Sequence, residues 1–311
     1  MEMLISLLLL AVGFVLLVKG ADWFVDGTSS IAAHLGIPQL VIGLTIVAMG
    51  TSAPEAAVSV TAALRGSADI TIGNVVGSNI MNILVILGLA SSFTCIRVAR
   101  STVFREIPFM LFTTVLLLVL GLDGTVTLVD GMILWGFFLL YLGYLFRMAK
   151  RGEADEETEI NCERALWKSG LWAVVGLGCI VLGSDVAVDA ATTIARTLGL
   201  SERLIGLTIV ALGTSLPELF TSVAAAKQGN ADIAIGNIVG SNIFNILFVV
   251  GSSSLITPVA FTAAFRLDAL IAVAAAALLL ICCLLHHYRL SRKSGVALLA
   301  SYATYFMLVL I

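Results

Sequence analysis

The chain reads as an all-α membrane protein of ten transmembrane helices. They form two inverted five-helix repeats, with helices 2 and 7 broken at mid-membrane. Three observations predict this. First, 59% of the 311 residues are apolar and only 12% are charged, with a mean hydropathy of +1.08. A soluble domain averages roughly half apolar and about 25% charged, so the surface of this chain must face lipid. Second, the sequence matches itself when shifted by 163 residues: Gly20–Leu84 and Gly183–Leu247 are identical at 39 of 65 positions without a gap. Third, each half has a proline in the middle of an apolar run, immediately before a glutamate (Pro54-Glu55 and Pro217-Glu218).

The spans follow in order. The first centres near Val12, in the run Leu4–Val18, with no convincing cleavage site after it, so it reads as a span and not a removed signal. The next four centre near Ile46, Ile80, Leu111 and Phe137 and complete a first repeat over residues 1–148. Residues 149–165 read as a cytoplasmic linker, acidic at Glu153, Asp155, Glu156, Glu157 and Glu159. Spans centred near Val174, Ile209, Phe244, Ala274 and Leu299 make the second repeat, residues 166–311.

Ten spans place both termini on one side of the membrane. The loops after spans 3, 5, 7 and 9 hold twelve Lys and Arg, among them Arg97, Arg147, Lys227 and Arg289; the opposite side holds Arg65, Arg196, Arg203 and Arg266. An excess of basic residues marks the cytoplasmic face, so both termini are expected outside. Five spans per half, an odd number, invert one half relative to the other. In secondary transporters that plan places the site between the halves.

Glu55 and Glu218 are the acidic residues expected deep in spans. Each such charge costs about 2.5–3.5 kcal/mol at a bilayer centre. Two at matched positions call for a cation, or for protonation as hydrogen-bonded structural acids. Pro54 and Pro217 lack an N–H and free the carbonyls of Gly50 and Gly213, so each helix breaks where bare carbonyls line a cavity. Thr51 and Thr214 stand four residues before each glutamate, on the same helical face. A second motif, GNVVGSNIMNIL and GNIVGSNIFNIL, spaces Asn74, Ser78 and Asn82, then Asn237, Ser241 and Asn245, by four. These residues read either as oxygen ligands or as small polar groups that allow close packing; for Gly73, Gly77, Gly236 and Gly240 packing is preferred. A shell of carboxylate, amide, hydroxyl and carbonyl oxygens, without sulfur or imidazole, suits Ca²⁺ or Na⁺ and not Zn²⁺ or Cu. Asp69 and Asp232 read as acids at helix starts. Asp22, Asp26, Asp185 and Asp189 read as interfacial or cavity-mouth acids.

At GTSAPE and GTSLPE, and again at the two GN-GSN-NIL motifs, the sequence resembles the sodium/calcium exchanger family of the cation/calcium antiporter superfamily. It looks like a minimal prokaryotic-type member, because the linker is too short for a regulatory domain. The resemblance covers both halves. It implies ten helices, outward termini, an inner or plasma membrane location and Na⁺-for-Ca²⁺ exchange by alternating access. It implies Ca²⁺ ligation by Glu55 and Glu218 with the carbonyls of Thr51 and Thr214. Sodium sites would add Ser52, Ser78, Ser215 and Ser241, with carbonyls at Ala48 and Ala211. The family's central polar position maps to Asn82 and Asn245. Some members carry aspartate at one of these; here both are asparagine, so the cavity has two formal negative charges, which bears on any K⁺ coupling.

No cofactor is implied beyond the transported Ca²⁺ and Na⁺, and a net charge of −3 argues for no nucleic-acid partner. The rival reading is a Ca²⁺/H⁺ antiporter using the same two glutamates. An intramembrane enzyme would need a nucleophile–base pair or an open metal site, and the sequence has no HExxH and no Asp dyad deep in the spans. A channel is disfavoured by the duplicated broken helices.

Overall fold

The computed structural model describes residues 2–66, 68–151, 165–199 and 211–310, with backbone only at residues 2, 69, 151, 211 and 308–310. It is mostly helical. In the first half, α1 (Glu2–Leu35) ends at Gly36, where φ is +62°. Next come α2 (Gln39–Thr51) and α3 (Ala53–Leu64), bent by 49° across Ser52. Then α4 (Ile70–Phe93), α5 (Thr102–Leu120) and α6 (Leu128–Arg151) follow. The second half holds α7 (Leu166–Thr197), the short α8 (Ala211–Gly213), α9 (Leu216–Lys227), α10 (Ala231–Ile256), α11 (Ala263–Leu285) and α12 (Arg292–Leu310).

Among the described residues seven helices are long and apolar enough to cross a membrane, or eight if the bent α2–α3 pair is one span. Ten were expected. The seventh expected span centres on Ile209, outside the described residues. The tenth corresponds to α12, which opens on Arg292 and Lys293 and is not among the seven. The expected linker, residues 149–165, falls largely on 152–164, also outside the description.

Asp22 and Asp26 lie within α1, and Asp185 and Asp189 within α7, helices of 34 and 32 residues. At 1.5 Å per residue such helices reach roughly 50 Å, against about 30 Å of hydrocarbon. Short strand pairs join the helices. Two-residue strands β1 (Ile96–Arg97) and β4 (Arg289–Leu290) pair antiparallel, as do β2 (Thr125–Val126) and β3 (Val259–Ala260). Thr94 and Thr257 leave their helices in extended geometry (ψ 147° at each) and deliver the chain to β1 and β3.

The layering follows burial. The most apolar window of α10 is 94% buried, whereas that of α1 is 22% buried and turns Leu4, Leu8 and Val15 outward. So α10 and α4 form the centre, and α1 lies at the edge. The α1–α7 contact depends on glycine: a Cβ on Gly20 would stand 2.8 Å from the Gly176 carbonyl oxygen, and one on Gly176 would stand 2.7 Å from that of Gly20. The backbones touch, which is how helices associate where water supplies no driving force. Trp23 and Trp172 close the same seam, with ring centroids 5.1 Å apart.

Candidate ion-binding site

Each glutamate stands in the first turn of a helix that restarts after a break. Ser52 (φ −84°, ψ 7°) interrupts α2 and α3, and Ser215 (φ −91°, ψ 2°) stands between α8 and α9. Pro54 and Pro217 occupy the first turns, where a missing N–H costs nothing. Helix N-termini favour negative charge, and Glu55 and Glu218 sit at these two. Both are fully buried and lie close enough to interact electrostatically.

Among the described residues neither carboxylate has an ion-pair partner, and Glu55 Oε1 and Oε2 and Glu218 Oε2 make no hydrogen bond. Buried acceptors are rarely left this way. Glu218 Oε1 accepts a hydrogen bond from Ser52 Oγ of the other half at 2.8 Å. Thr51 Oγ1 crosses the same boundary to Asn237 Oδ1 at 3.0 Å, and Ser241 Oγ reaches the Ala48 carbonyl at 3.3 Å. Thus Ser52, Thr51, Ala48, Glu218 and Ser241 are drawn together. Around Glu55 the neighbouring hydroxyls are those of Thr214 and Ser78. Ser215 Oγ is buried with no partner among the described residues. The side chain of Ala211 lies outside the description.

The second motif braces the first. Asn74 Nδ2 donates to the Glu55 carbonyl (3.2 Å) and to Ser59 Oγ (2.9 Å); Asn237 Nδ2 repeats this with the Glu218 carbonyl (3.4 Å) and Ser222 Oγ (2.9 Å). The two halves are not equally closed. A Cβ on Gly240 would be 2.8 Å from the Leu44 carbonyl oxygen and from Ala48 Cβ, so α2 lies directly on α10. The equivalent Gly77 has open space around it among the described residues. The Gly213 carbonyl that Pro217 leaves without a helical donor is taken up by Ser184 Oγ at 2.7 Å.

Of the expected residues, Glu55, Glu218, Thr51, Ser52, Ser215, Ser78, Ser241, Asn82, Asn245 and Ala48 are all buried, and Thr214 is partly so. Helices open into π-turns at Asn82–Leu87 and Asn245–Val250, at matched places in both halves. Such turns recur at functional sites. Three polar residues went unforeseen. Asn79 and Asn242 link α4 to α10, and their signal was the Asn of each GSN triplet. Glu106, 1% exposed, accepts a hydrogen bond from Tyr144, so Glu55 and Glu218 are not the only buried acids. It lies in α5, which already runs from Thr102.

The assembled groups are hard oxygen donors around two carboxylates. Among the described residues no set of three His, Cys, Asp or Glu side chains gathers as a metal cluster. The sequence profile of the family described as sodium/calcium exchanger protein matches residues 5–147 and 168–311. A protein of Alkalimonas amylolytica provisionally named antiporter CaxA is 42% identical over 279 residues, 88% of each chain. The sodium/calcium exchanger MaX1 of Methanosarcina acetivorans is 32% identical over 347 aligned positions, 98% of each. A solved structure of the sodium-calcium exchanger NCX_Mj, soaked with zero Na⁺ and Ca²⁺, superposes with a TM-score of 0.85 at 32% identity, covering 98% of this chain and 99% of that one.

Proposed function

The chain belongs to the sodium/calcium exchanger protein family, and from that premise we propose that it exchanges Na⁺ for Ca²⁺ by alternating access, at one mid-membrane site between its halves. The observation that carries this reading is the pair Glu55 and Glu218, fully buried with three carboxylate oxygens that have no hydrogen-bond partner among the described residues. Two carboxylates are neutralised by one Ca²⁺, two Na⁺ or two protons, so the ions compete for the same charges and exchange needs no second site. Glu55 and Glu218 ligate Ca²⁺ with the carbonyls of Thr51 and Thr214. Ser52, Ser78, Ser215 and Ser241, the carbonyls of Ala48 and Ala211, and the amide oxygens of Asn82 and Asn245 serve Na⁺ and complete the shell.

The surrounding architecture is ten spans in two inverted repeats, residues 1–148 and 166–311, with spans 2 and 7 broken at mid-membrane. The strand pairing supports inversion. Under the 163-residue shift Ile96 of β1 corresponds to Val259 of β3, and Val126 of β2 to Arg289 of β4. Yet β1 pairs with β4 and β2 with β3. Because β1 and β2 flank α5, equivalent strands lie at opposite ends of the molecule, as they must if the halves cross in opposite senses. The charges agree: Arg97 and Arg289, both assigned to the cytoplasm, face each other across one ribbon. Arg266 donates to the Leu122 carbonyl at 2.9 Å, and both are assigned to the outer side. Both termini are then extracytoplasmic, in the inner or plasma membrane.

The test is Ca²⁺ uptake into proteoliposomes under separate Na⁺, K⁺ and pH gradients. An outward Na⁺ gradient should drive uptake. Uptake driven by a pH gradient without Na⁺ would instead favour Ca²⁺/H⁺ exchange at the same glutamates.

A further inference from the structure

Four asparagines meet where α4 and α10 cross, and their hydrogen bonds run in a fixed order. Asn79 Nδ2 donates to the backbone carbonyl of Asn242 at 3.1 Å, and Asn242 Nδ2 donates to that of Asn79 at 3.2 Å. A backbone carbonyl can only accept, so the orientation of these two amides is settled. Their Oδ1 atoms must face the other way. There Asn79 Oδ1 accepts from Asn245 Nδ2 at 3.2 Å, and Asn242 Oδ1 accepts from Asn82 Nδ2 at 2.9 Å. One N–H of Asn82 and one of Asn245 are thereby engaged, which fixes which end of each amide faces its partner. Their Oδ1 atoms are buried and have no partner among the described residues.

Leaving a buried acceptor unpartnered is costly, and here two stand at equivalent positions. Asn82 lies two helical steps beyond Asn74, the residue that holds the Glu55 carbonyl. An amide is ambidentate: free to turn, it would as readily offer N–H, which repels a cation. We infer that Asn79 and Asn242 are positioning residues that lock Asn245 and Asn82 with their carbonyl oxygens turned toward the cation, making two neutral side chains act as obligate oxygen donors. The inference rests on the proposed cation site at Glu55 and Glu218. It assigns a role to the Asn of each GSN triplet, which touches no ion itself.

The test uses the Ca²⁺ KM of Na⁺-driven uptake by the full chain in proteoliposomes. Asn79→Ala frees the Asn245 amide and should raise KM by about tenfold, the size expected for losing one hydrogen bond next to a charge. A carboxylate presents oxygen whichever way it turns. In an Asn245→Asp background, therefore, Asn79→Ala should change KM by less than about threefold. Asn242→Ala, alone and with Asn82→Asp, should behave alike. An equal loss in both backgrounds would show that Asn79 merely packs, and would overturn the inference. So would an unchanged KM for Asn79→Ala. If Asn79→Ala is not recovered folded, Asn79→Ser decides by the same comparison. Wild-type protein without Na⁺-driven uptake would overturn the exchanger reading itself; wild-type uptake with indifferent Asn79 variants overturns this inference alone.

Discussion

A buried carboxylate without a counter-charge is a debt of several kcal/mol in hydrocarbon, and Glu55 and Glu218 are both fully buried with no basic partner among the described residues. Replacing either by Gln removes the charge and keeps the shape. Glu55→Gln and Glu218→Gln should therefore abolish Ca²⁺ transport while the protein remains monodisperse on gel filtration. Near-normal uptake by either would move the site elsewhere. Ser52→Ala removes the hydroxyl that holds Glu218 Oε1 from the other half, and should weaken ion affinity by roughly tenfold or more, read as a rise in KM. These residues were legible because a Glu after a Pro in an apolar run has no bland reading that costs nothing. Asn79 and Asn242 were not legible: beside Gly and Ser, an Asn reads as part of a packing motif, and its partner lies 163 residues away.

Elements were read well where one residue dictates geometry and poorly where two distant segments do. Pro54 and Pro217 marked the breaks at Ser52 and Ser215. The π-turns and the four short strands carry no local signal, because each arises from the neighbour it packs against. Glycine seams give a contrast to measure. Gly240→Leu puts a side chain where the α2 backbone already stands, and overpacking of this kind costs at least about 1–3 kcal/mol. It should lower the detergent Tm by several degrees. Gly77→Ala, at the equivalent place with open space among the described residues, should leave Tm within a degree or two.

At the scale of the molecule, the proposed inversion was legible from arithmetic alone: an internal repeat plus an odd number of expected spans per half. The lengths of α1 and α7 were not, since their polar C-terminal parts look like span ends. Inversion makes a prediction about sides. In a background with the native cysteines replaced, Arg97→Cys and Arg289→Cys should form a disulfide linking the two halves, because opposed Cα atoms in such a ribbon lie about 4.5–5.5 Å apart. A membrane-impermeant thiol reagent added outside intact cells should label Thr125→Cys and spare Arg97→Cys until the membrane is opened. Labelling of both from one side would contradict inversion.

The most direct measurement is ⁴⁵Ca²⁺ uptake into proteoliposomes loaded with Na⁺ and diluted into Na⁺-free buffer, for the wild type and for Glu55→Gln and Glu218→Gln. The account predicts rapid uptake by the wild type that collapses when Na⁺ is equal on both sides, and background uptake by both variants. Wild-type uptake indifferent to the Na⁺ gradient, or a Gln variant that still exchanges, would contradict it.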